Sequence, residues 1–311
     1  LDPTPSNLQI FFTGLSTAFH SGYMRPGPWW NNIAMSLPSD TELTTHGWMD
    51  RIPKMREWVG PRTVNALPSR TQTVRNKDWE ETESIPRNKF LDDTHGLYTP
   101  LATDMGWQAA KLHDQQLALA IQANPTCFDG AALFSTAHPI DPDGELSTSN
   151  QSNELATTAL TPSGYGTGRA TMRGLVGRDG QPMGSMPTLL VVPPQLEEAG
   201  RLILTADFYG PKSFGNMTDN VGTDSNIWKG TAELLVVEEL ANQPKVWYLF
   251  DNSMAMRAFL VQIRQPAQFT YLVNPNDPNV FWQKEYVFGA DSRSAYAPAL
   301  WFKALRAGAS L

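Results

Sequence analysis

The sequence predicts an α+β protein, and three features carry that prediction. Apolar residues recur at helical spacing in separate stretches before residue 125. Short apolar runs of strand type follow one another from Leu260 onward. The elements in between mix helix and strand without the regular alternation that a parallel sheet with crossover helices requires.

Taken in order, Asp2-Pro3-Thr4-Pro5 is a poor helix former, but Leu8, Phe11, Phe12, Leu15 and Phe19 then fall on one helical face,. Ser6 is placed to cap that helix, and Arg25-Pro26-Gly27-Pro28-Trp29-Trp30 breaks it,. Residues around 71–77 favour an extended backbone, with Thr71, Thr73, Arg75 and Lys77 on one face and Gln72, Val74 and Asn76 on the other,. Neither face looks apolar enough for a core of its own, so the ribbon is expected to lie on something else or to remain a solvated loop. Pro53, Pro61 and Pro68 make its first limb an interrupted edge,. The clearest helix follows, with Thr99 as cap, Pro100 in the first turn and Asn124-Pro125 as the stop,. Leu101, Met105, Ala109, Leu112 and Leu119 mark its apolar stripe, and Lys111, Asp114 and Gln115 its polar side.

Beyond it the chain is loop-like to about residue 187, interrupted by a helix that Pro162 opens and Gly177 closes. Leu189–Val192 is a short buried strand, and Pro194 starts a helix with Leu196, Ala199, Leu202, Ile203 and Ala206 inward,. Leu234–Val237 and Val246–Phe250 form two more strands joined by a hairpin-like turn at Asn242-Gln243-Pro244. Strands at 260–264, 269–273, 280–288 and 299–305 complete the pattern, with a turn at 274–278,.

Composition narrows the class. A chain of 311 residues that is 41% hydrophobic and 18% charged is globular, with material for one large core or two moderate ones,. Its net charge of -7 argues against a surface that grips nucleic acid throughout,. One cysteine, Cys127, excludes an intramolecular disulfide,. No apolar run reaches the roughly 20 residues of a membrane span, and the start has no signal-peptide pattern. The first residue is Leu1, so either a start methionine is missing or a longer precursor was cut. Twenty-four Pro, 23 Gly and 10 Trp make the chain turn-rich, with aromatic surface of the kind enriched at interfaces,.

Charge is strongly ordered in the arm. Arg51, Lys54, Arg56, Arg62, Arg70, Arg75 and Lys77 face only Glu57, and Asp78, Glu80, Glu81 and Glu83 follow at once. A basic limb followed by an acidic one suits an arm that reaches across a second copy of the chain.

Four runs then stand out: Glu57-Trp58-Val59-Gly60 with Arg62-Thr63, Asn76-Lys77, Glu80, Ile85, Arg87, Phe90, Asp92-Asp93, Gly96, Tyr98 and Pro100; Phe134 with His138-Pro139; Leu190 to Pro194 with Leu196-Glu197; and Glu285-Tyr286, Phe288-Gly289-Ala290 with Ser292-Arg293. In these runs, which keep one order over most of the chain, the sequence resembles the major head subunit of Mu-like bacteriophages and prophages. The resemblance implies the tailed-phage capsid fold of the Hong Kong 97 phage type. Its parts are an N-terminal arm (1–40) running beneath neighbouring subunits, an extended loop (41–90), a peripheral domain with a spine helix (91–125 and 261–311), and an axial domain (126–260). An ordinary terminal helix packed on its own domain is the other reading of the arm.

The resemblance also implies a structural role and no enzyme: homo-pentamers and homo-hexamers in an icosahedral shell around double-stranded DNA, met on the inner face without sequence-specific binding. A scaffold protein, a portal and a decoration protein are the further partners expected, with no cofactor and no membrane. The location is the virion, after assembly in the host cytoplasm. Trp58, Arg62, Arg70, Arg75, Lys77 and Trp79 are the candidate inter-subunit residues. A decoration or tail protein, or a soluble hydrolase with an insertion domain, are the competing classes.

Chemistry-bearing patterns are sparse. His20, His46, His95, His113 and His138 lack metal-ligand spacing, and Asp92-Asp93-Thr94-His95 fits an Asx-rich turn,. Gly164-Tyr165-Gly166-Thr167-Gly168-Arg169 lacks the Gly-Lys-Ser ending of a phosphate loop and fits a flexible turn leading into a helix,. Ser135, His138 and Asp141 make a triad only on paper, with no nucleophile elbow,. One branch of the capsid fold cross-links a loop lysine to a neighbour's asparagine. Lys77, Asn274 or Asn276, and Glu285 would be the candidates, but the Mu-like resemblance does not carry that activity.

Overall fold

A computed structural model describes residues 4–25, 27–49, 69–91, 96–142, 147–209 and 224–308. The chain opens with α1 (Pro5–Tyr23), β1 (Ala34–Pro38), β2 (Leu43–Met49), β3 (Ser69–Arg75), β4 (Lys77–Pro86), α2 (Arg87–Leu91) and α3 (Tyr98–Ala123). Short strands β5 (His138–Pro139), β6 (Asn150–Gln151) and β7 (Glu154–Leu155) lead to α4 (Pro162–Arg173), β8 (Leu189–Val192), α5 (Glu197–Thr205), β9 (Phe208–Tyr209) and β10 (Asp224–Ser225). Then come β11 (Glu233–Val236), β12 (Trp247–Phe250), β13 (Phe259–Leu272), β14 (Glu285–Pro298) and β15 (Ala304–Ala307).

Two sheets organise the molecule. One is four-stranded, in the order β1-β13-β14-β4, and the other five-stranded, in the order β11-β8-β12-β15-β7. The central strands β8 and β12 of the second sheet are buried on both faces, which is why they are continuous apolar runs,. Leu190, Val192, Trp247, Leu249 and Leu305 pack with Tyr165 and Met172 of α4, while Val191, Tyr248, Phe250 and Ala304 point into the large core shared with Leu117, Ile121 and Phe259. A separate core lies on the first sheet, where Leu8, Phe12, Leu15 and Phe19 of α1 meet Phe90, Met105, Tyr286 and Phe288. The apolar face of α1 is thus buried within its own chain, the second of the two readings of the N-terminal helix.

Helices α1 and α3 come together at glycine. A Cβ on Gly22 would lie 1.9 Å from the Thr103 carbonyl oxygen, and one on Gly106 would lie 2.0 Å from that of Phe19. The glycine-rich stretch at 164–168 is also helix, inside α4, and not the flexible turn expected. Gly166 faces the Trp228 ring and Gly168 the Trp247 ring at distances too short for a side chain. Glycine serves close packing there.

Several boundaries differ from the sequence reading. Thr4, not Ser6, caps α1, accepting from the Asn7 N–H. α3 begins at Tyr98 with no side-chain cap, so Thr99 lies inside it, and it ends where expected because Asn124 adopts a left-handed backbone (φ 47°). Its buried face is Ala102, Met105, Ala110, His113, Asp114, Leu117 and Ile121, whereas Leu101 and Leu119 are exposed. The expected stripe is therefore rotated, and Asp114 lies inside it. α4 ends at Arg173 with Gly174 as its cap, and Val176 lies beyond it.

β11 and β12 are not a hairpin, because β8 lies between them, parallel to one and antiparallel to the other. The two strands expected at 260–264 and 269–273 are one strand, β13, with bulges after Ile263. Val280 to Gln283 form a wide helical turn, and β14 starts only at Glu285. β15 pairs with β12 and β7, so residues 304–307 join the five-stranded sheet and not the unit beside α3 to which 261–311 were assigned. β4, expected inside the extended loop, is hydrogen-bonded along its length to β14.

Candidate functional site

The arm grows out of the four-stranded sheet through a buried polar knot. β2 and β3 pair antiparallel from Leu43↔Arg75 to Met49↔Ser69, and only Asn76 separates β3 from β4. Asn76 Nδ2 donates to Ser39 Oγ (3.0 Å) and to the Thr41 carbonyl (2.8 Å). Its Oδ1 accepts from Gln262 Nε2 (2.8 Å), and Gln262 Oε1 lies 2.8 Å from His46 Nε2. Val74 and Asn76 are buried, which corrects the expectation that neither ribbon face rests on a core. Period-two alternation had the faces right, but the core beneath them belongs to distant strands. Asn76→Ala leaves the Gln262 amide without its acceptor and is expected to cost about 2 kcal/mol. Hydrogen exchange should then rise in β2 and β3 well before β13 and β14, whereas a uniform rise would mean that the knot does not anchor the arm.

Along this root the candidate residues separate. Trp58 and Arg62 lie outside the described residues, as do Asp92 to His95. Arg70 stands opposite Trp48 near the far end of the hairpin. Arg75 is exposed and bridges Glu42 within its own chain at 2.8 Å. Lys77 opens β4 opposite Ser294. Trp79 is half-buried, with its indole N–H directed at the Ser294 carbonyl (3.4 Å) and its ring edge-on to Tyr296. Arg75, Lys77 and Trp79 share one wall of a groove between β4 and the exposed side of α3, and Leu119 and Tyr296 lie opposite. This part of the groove holds about 470 Å³. Past Trp79 it continues as a second hollow of about 450 Å³ lined by Glu81, Ala109, Leu112 and Ala290. The rotated stripe of α3 thus borders the groove.

Electrostatics grade along it. Asp78 pairs with Arg293, but among the described residues no cation pairs with Glu81 or Glu83. Partial burial, with Glu83 and Glu80 close by, pushes the Glu81 carboxyl up from its ordinary value,. Beneath the groove, His113 Nδ1 lies 2.8 Å from the Tyr296 hydroxyl, and burial pushes its pKa down to about 4. Asp114 accepts the Trp29 and Trp30 backbone N–H groups on Oδ1 at 2.9 and 2.8 Å. Its buried Oδ2 has no partner, and burial raises its pKa to about 6 in spite of those two donors. This carboxylate pins the segment after α1 to the middle of α3.

The turn that joins β13 to β14 carries the most prominent exposed aromatics, Phe281 at 67% and Trp282 at 79%. They were missed because a strand assignment buries every second side chain. The turn signal just before them, Asn274 to Pro278, could have exposed the error.

Among the described residues, Ser135, His138 and Asp141 do not come together as a catalytic group. His138 Nδ1 meets Asp129 Oδ2 at 2.6 Å, its Nε2 faces the Leu133 carbonyl, and its ring stacks on Trp301. Asp141 pairs instead with Arg178, and Ser135 Oγ accepts from the Ala137 N–H. Lys77 and Glu285 lie at opposite ends of the β4–β14 ladder, so one chain does not bring them together. Among the described residues no group of three His, Cys, Asp or Glu could hold a metal ion.

The long helix bordering one sheet, the hairpin arm and the second, five-stranded sheet make up the tailed-phage capsid fold. They match the procapsid of bacteriophage JBD30 with a TM-score of 0.62 over 99% of this chain and 77% of that one, at 21% identity. The chain belongs to the family of the Mu-like prophage major head subunit gpT, whose model matches residues 8–162, 154–240 and 238–311, a family of structural head proteins. It is 24% identical over 300 residues to the Mu-like prophage FluMu major head subunit of Haemophilus influenzae, covering 96% of this chain and 72% of that one. It is 34% identical over 154 residues to the major capsid protein of Escherichia phage Mu, 48% of this chain and 50% of the phage Mu protein, so that match spans half the relative's length.

Proposed function

We propose that this chain builds the icosahedral head shell of a Mu-like phage by assembling with its own copies, as pentamers and hexamers, around double-stranded DNA. The observation that carries this reading is the family match, which runs from residue 8 to 311 through both sheets. In this assignment α3 with the four-stranded sheet is the peripheral domain, the five-stranded sheet with α4 and α5 is the axial domain, and the β2–β3 hairpin is the root of the extended loop. Arg70, Arg75, Lys77 and Trp79, together with Trp58 and Arg62, form the contact set on the arm. Phe281 and Trp282 supply a second contact, because aromatic side chains this exposed are characteristic of interfaces. Many modest contacts then add up over a closed shell.

A scaffold protein, a portal and a decoration protein complete the partners, and the acidic subunit meets packaged DNA without sequence-specific contacts. Assembly takes place in the host cytoplasm. Among the described residues no helix is long and apolar enough to cross a membrane.

Negative-stain electron microscopy of the purified protein, with mass from light scattering, tests the reading. Shells, tubes or rings of five and six are expected. A 34.5 kDa monomer under all conditions, with candidate scaffolds co-expressed, would overturn it. Arg75→Glu combined with Lys77→Glu should reduce particle yield at least tenfold while the circular dichroism spectrum and Tm stay close to wild type, since both side chains are exposed,. Normal particles from that variant would remove both residues from the contact set.

A further inference from the structure

Where β13, β14 and β4 run side by side, Tyr286, Phe288 and Ala290 of β14 lie in the core beneath α1, and the residues between them face the other way. Pairing sets out that outer face in three rows: Gln268, Asp291 and Glu80; Thr270, Gly289 and Thr82; Leu272, Val287 and Ser84. Most of these side chains are exposed, Leu272 at 52%, and they wall a hollow of about 350 Å³ over Gly289. Glu80 and Asp291 stand directly opposite each other. Glu80 accepts from the Thr82 hydroxyl (2.7 Å) and Asp291 from the Gln265 amide (2.8 Å), and among the described residues no cation pairs with either. Like charges opposed across two strands are unfavourable by themselves.

The tip of the same two long strands has the opposite character. Phe281 and Trp282 stand edge-on to each other with most of their surface exposed. Their turn is a fixed mount: Asn279 Nδ2 donates to the Leu272 and Glu285 carbonyls at 3.1 and 2.8 Å, tying the two strand ends together. Asp277 accepts the Asn274 N–H at 2.8 Å. Lys284 follows the rings, and its carbonyl accepts the Arg87 N–H (2.8 Å), which brings Arg87 and Lys89 of α2 to the same end. All three cations are exposed, and among the described residues no carboxylate pairs with them. Rings already held in place lose little freedom on binding. They do not fold back over their own hollow, since Asp291 lies roughly 20 Å along β14 from Glu285 at about 3.3 Å per residue.

We propose that the knob of Phe281, Trp282 and Lys284 seats in the hollow over Gly289 on a second copy of this chain. The inference rests on the shell reading and adds to the contact at Phe281 and Trp282 the surface that receives it. The rings cover Leu272 and Val287, Gly289 leaves space where any other residue would raise a side chain, and Lys284 with Arg87 meets Glu80 and Asp291. Charge favours a second copy over a polyanion as the occupant. A nucleic acid would satisfy the cations of the knob but leave the opposed carboxylates unanswered. Knob and hollow are different patches, so the contact is heterologous: each copy gives its knob to one neighbour and its hollow to another, and a ring of copies uses every patch once.

The chain has one cysteine, Cys127, and it is buried, so introduced thiols can report the contact by disulfide trapping. Full-length subunits carrying Gln283→Cys, beside the knob, are mixed with subunits carrying Thr270→Cys, on the wall of the hollow, then oxidised and run on a denaturing gel. A band at twice the subunit mass is expected from the mixture and from neither variant alone. Thr13→Cys, on the exposed face of α1, should give no such band in place of Thr270→Cys. Adding Trp282→Ala to the Gln283→Cys subunit should lower the yield about tenfold, as loss of a buried aromatic anchor does. Lys284→Glu in the knob should suppress trapping, and Glu80→Lys in the hollow should restore it. The neutral pair Glu80→Gln with Asp291→Asn should lower the yield several-fold and serves if the reversals do not fold. Trapping of Gln283→Cys subunits with themselves would mean that two knobs meet, and the assignment falls. It falls equally if Thr270→Cys is not trapped, or if trapping is indifferent to Trp282→Ala. Trapping on soluble subunits without particles counts against the shell reading alone, and particles without trapping count against this contact alone.

Discussion

Gly106→Val is expected to destabilise the subunit by about 3–5 kcal/mol, enough to leave much of it unfolded or aggregated. The reason is geometric. α1 and α3 touch backbone to backbone at Gly22 and Gly106, where even a Cβ would sit about 2 Å from a carbonyl oxygen of the other helix. Carbonyls inside a helix cannot move away as a flexible side chain can, so the helices must separate. Separation opens the core that Phe12, Phe19, Met105 and Phe288 share. Gly22→Ala should lose stability by the same mechanism. Gly14, in the same helix, has nothing within 4 Å of its added Cβ, and Gly14→Ala should raise stability by about 0.5–1 kcal/mol through helix propensity alone. Urea midpoints for the three variants check this. If Gly106→Val and Gly14→Ala shifted the midpoint equally, the close helix contact would not exist in solution.

Acid titration of Asp114→Asn should give the second large effect. In the folded chain His113 is held down at about 4 from 6.5, and Asp114 is pushed up to about 6 from 3.8. Between these limits the unfolded chain holds a proton on His113 that the folded chain lacks, so this residue removes stability as pH falls from 6.5 toward 4. Asp114 does the opposite: its folded form binds the extra proton, so stability is gained as pH falls from 6 toward 3.8. Each contribution is about 3 kcal/mol at the usual conversion of one pKa unit, and in the wild type they nearly offset.

Asparagine keeps an oxygen for the Trp29 and Trp30 N–H groups but cannot titrate. The variant should therefore lose about 3 kcal/mol more than wild type on acidification from pH 6.5 to 4. Denaturant unfolding at several pH values measures the difference, and parallel curves would mean that Asp114 is not desolvated as the structure places it. Since His113 holds Tyr296, which lines the groove, loss of arm contacts should accompany the acid transition.

Much of this protein was legible before folding was considered, because the signals are local. Asn124-Pro125 ended α3 through backbone chemistry that needs no partner,. Leu189 to Val192 announced a short buried strand, and the basic run ending at Lys77 followed by acids announced an arm of ordered charge. The four family runs depend on residue identity, so the head-subunit family was readable without coordinates.

Other features exist only because distant segments meet. Periodicity placed Leu101 and Leu119 inward and Asp114 outward on α3. The helix turned the other way because Gly22 lets α1 dock on Gly106, and the Trp29 and Trp30 N–H groups needed an acceptor. Val74 looked too isolated to rest on a core until β13 and the Gln262 knot came beneath it. The glycines of 164–168 suggested a flexible turn, and only the rings of Trp228 and Trp247 show why a helix should carry them. β15 left the unit assigned to it because its apolar residues complete a sheet whose other strands precede it by more than fifty residues in sequence. Local propensity set the length and kind of each element, while burial, close backbone approach and the pairing of polar groups far apart in the chain determined which faces point inward and which surface remains for another copy.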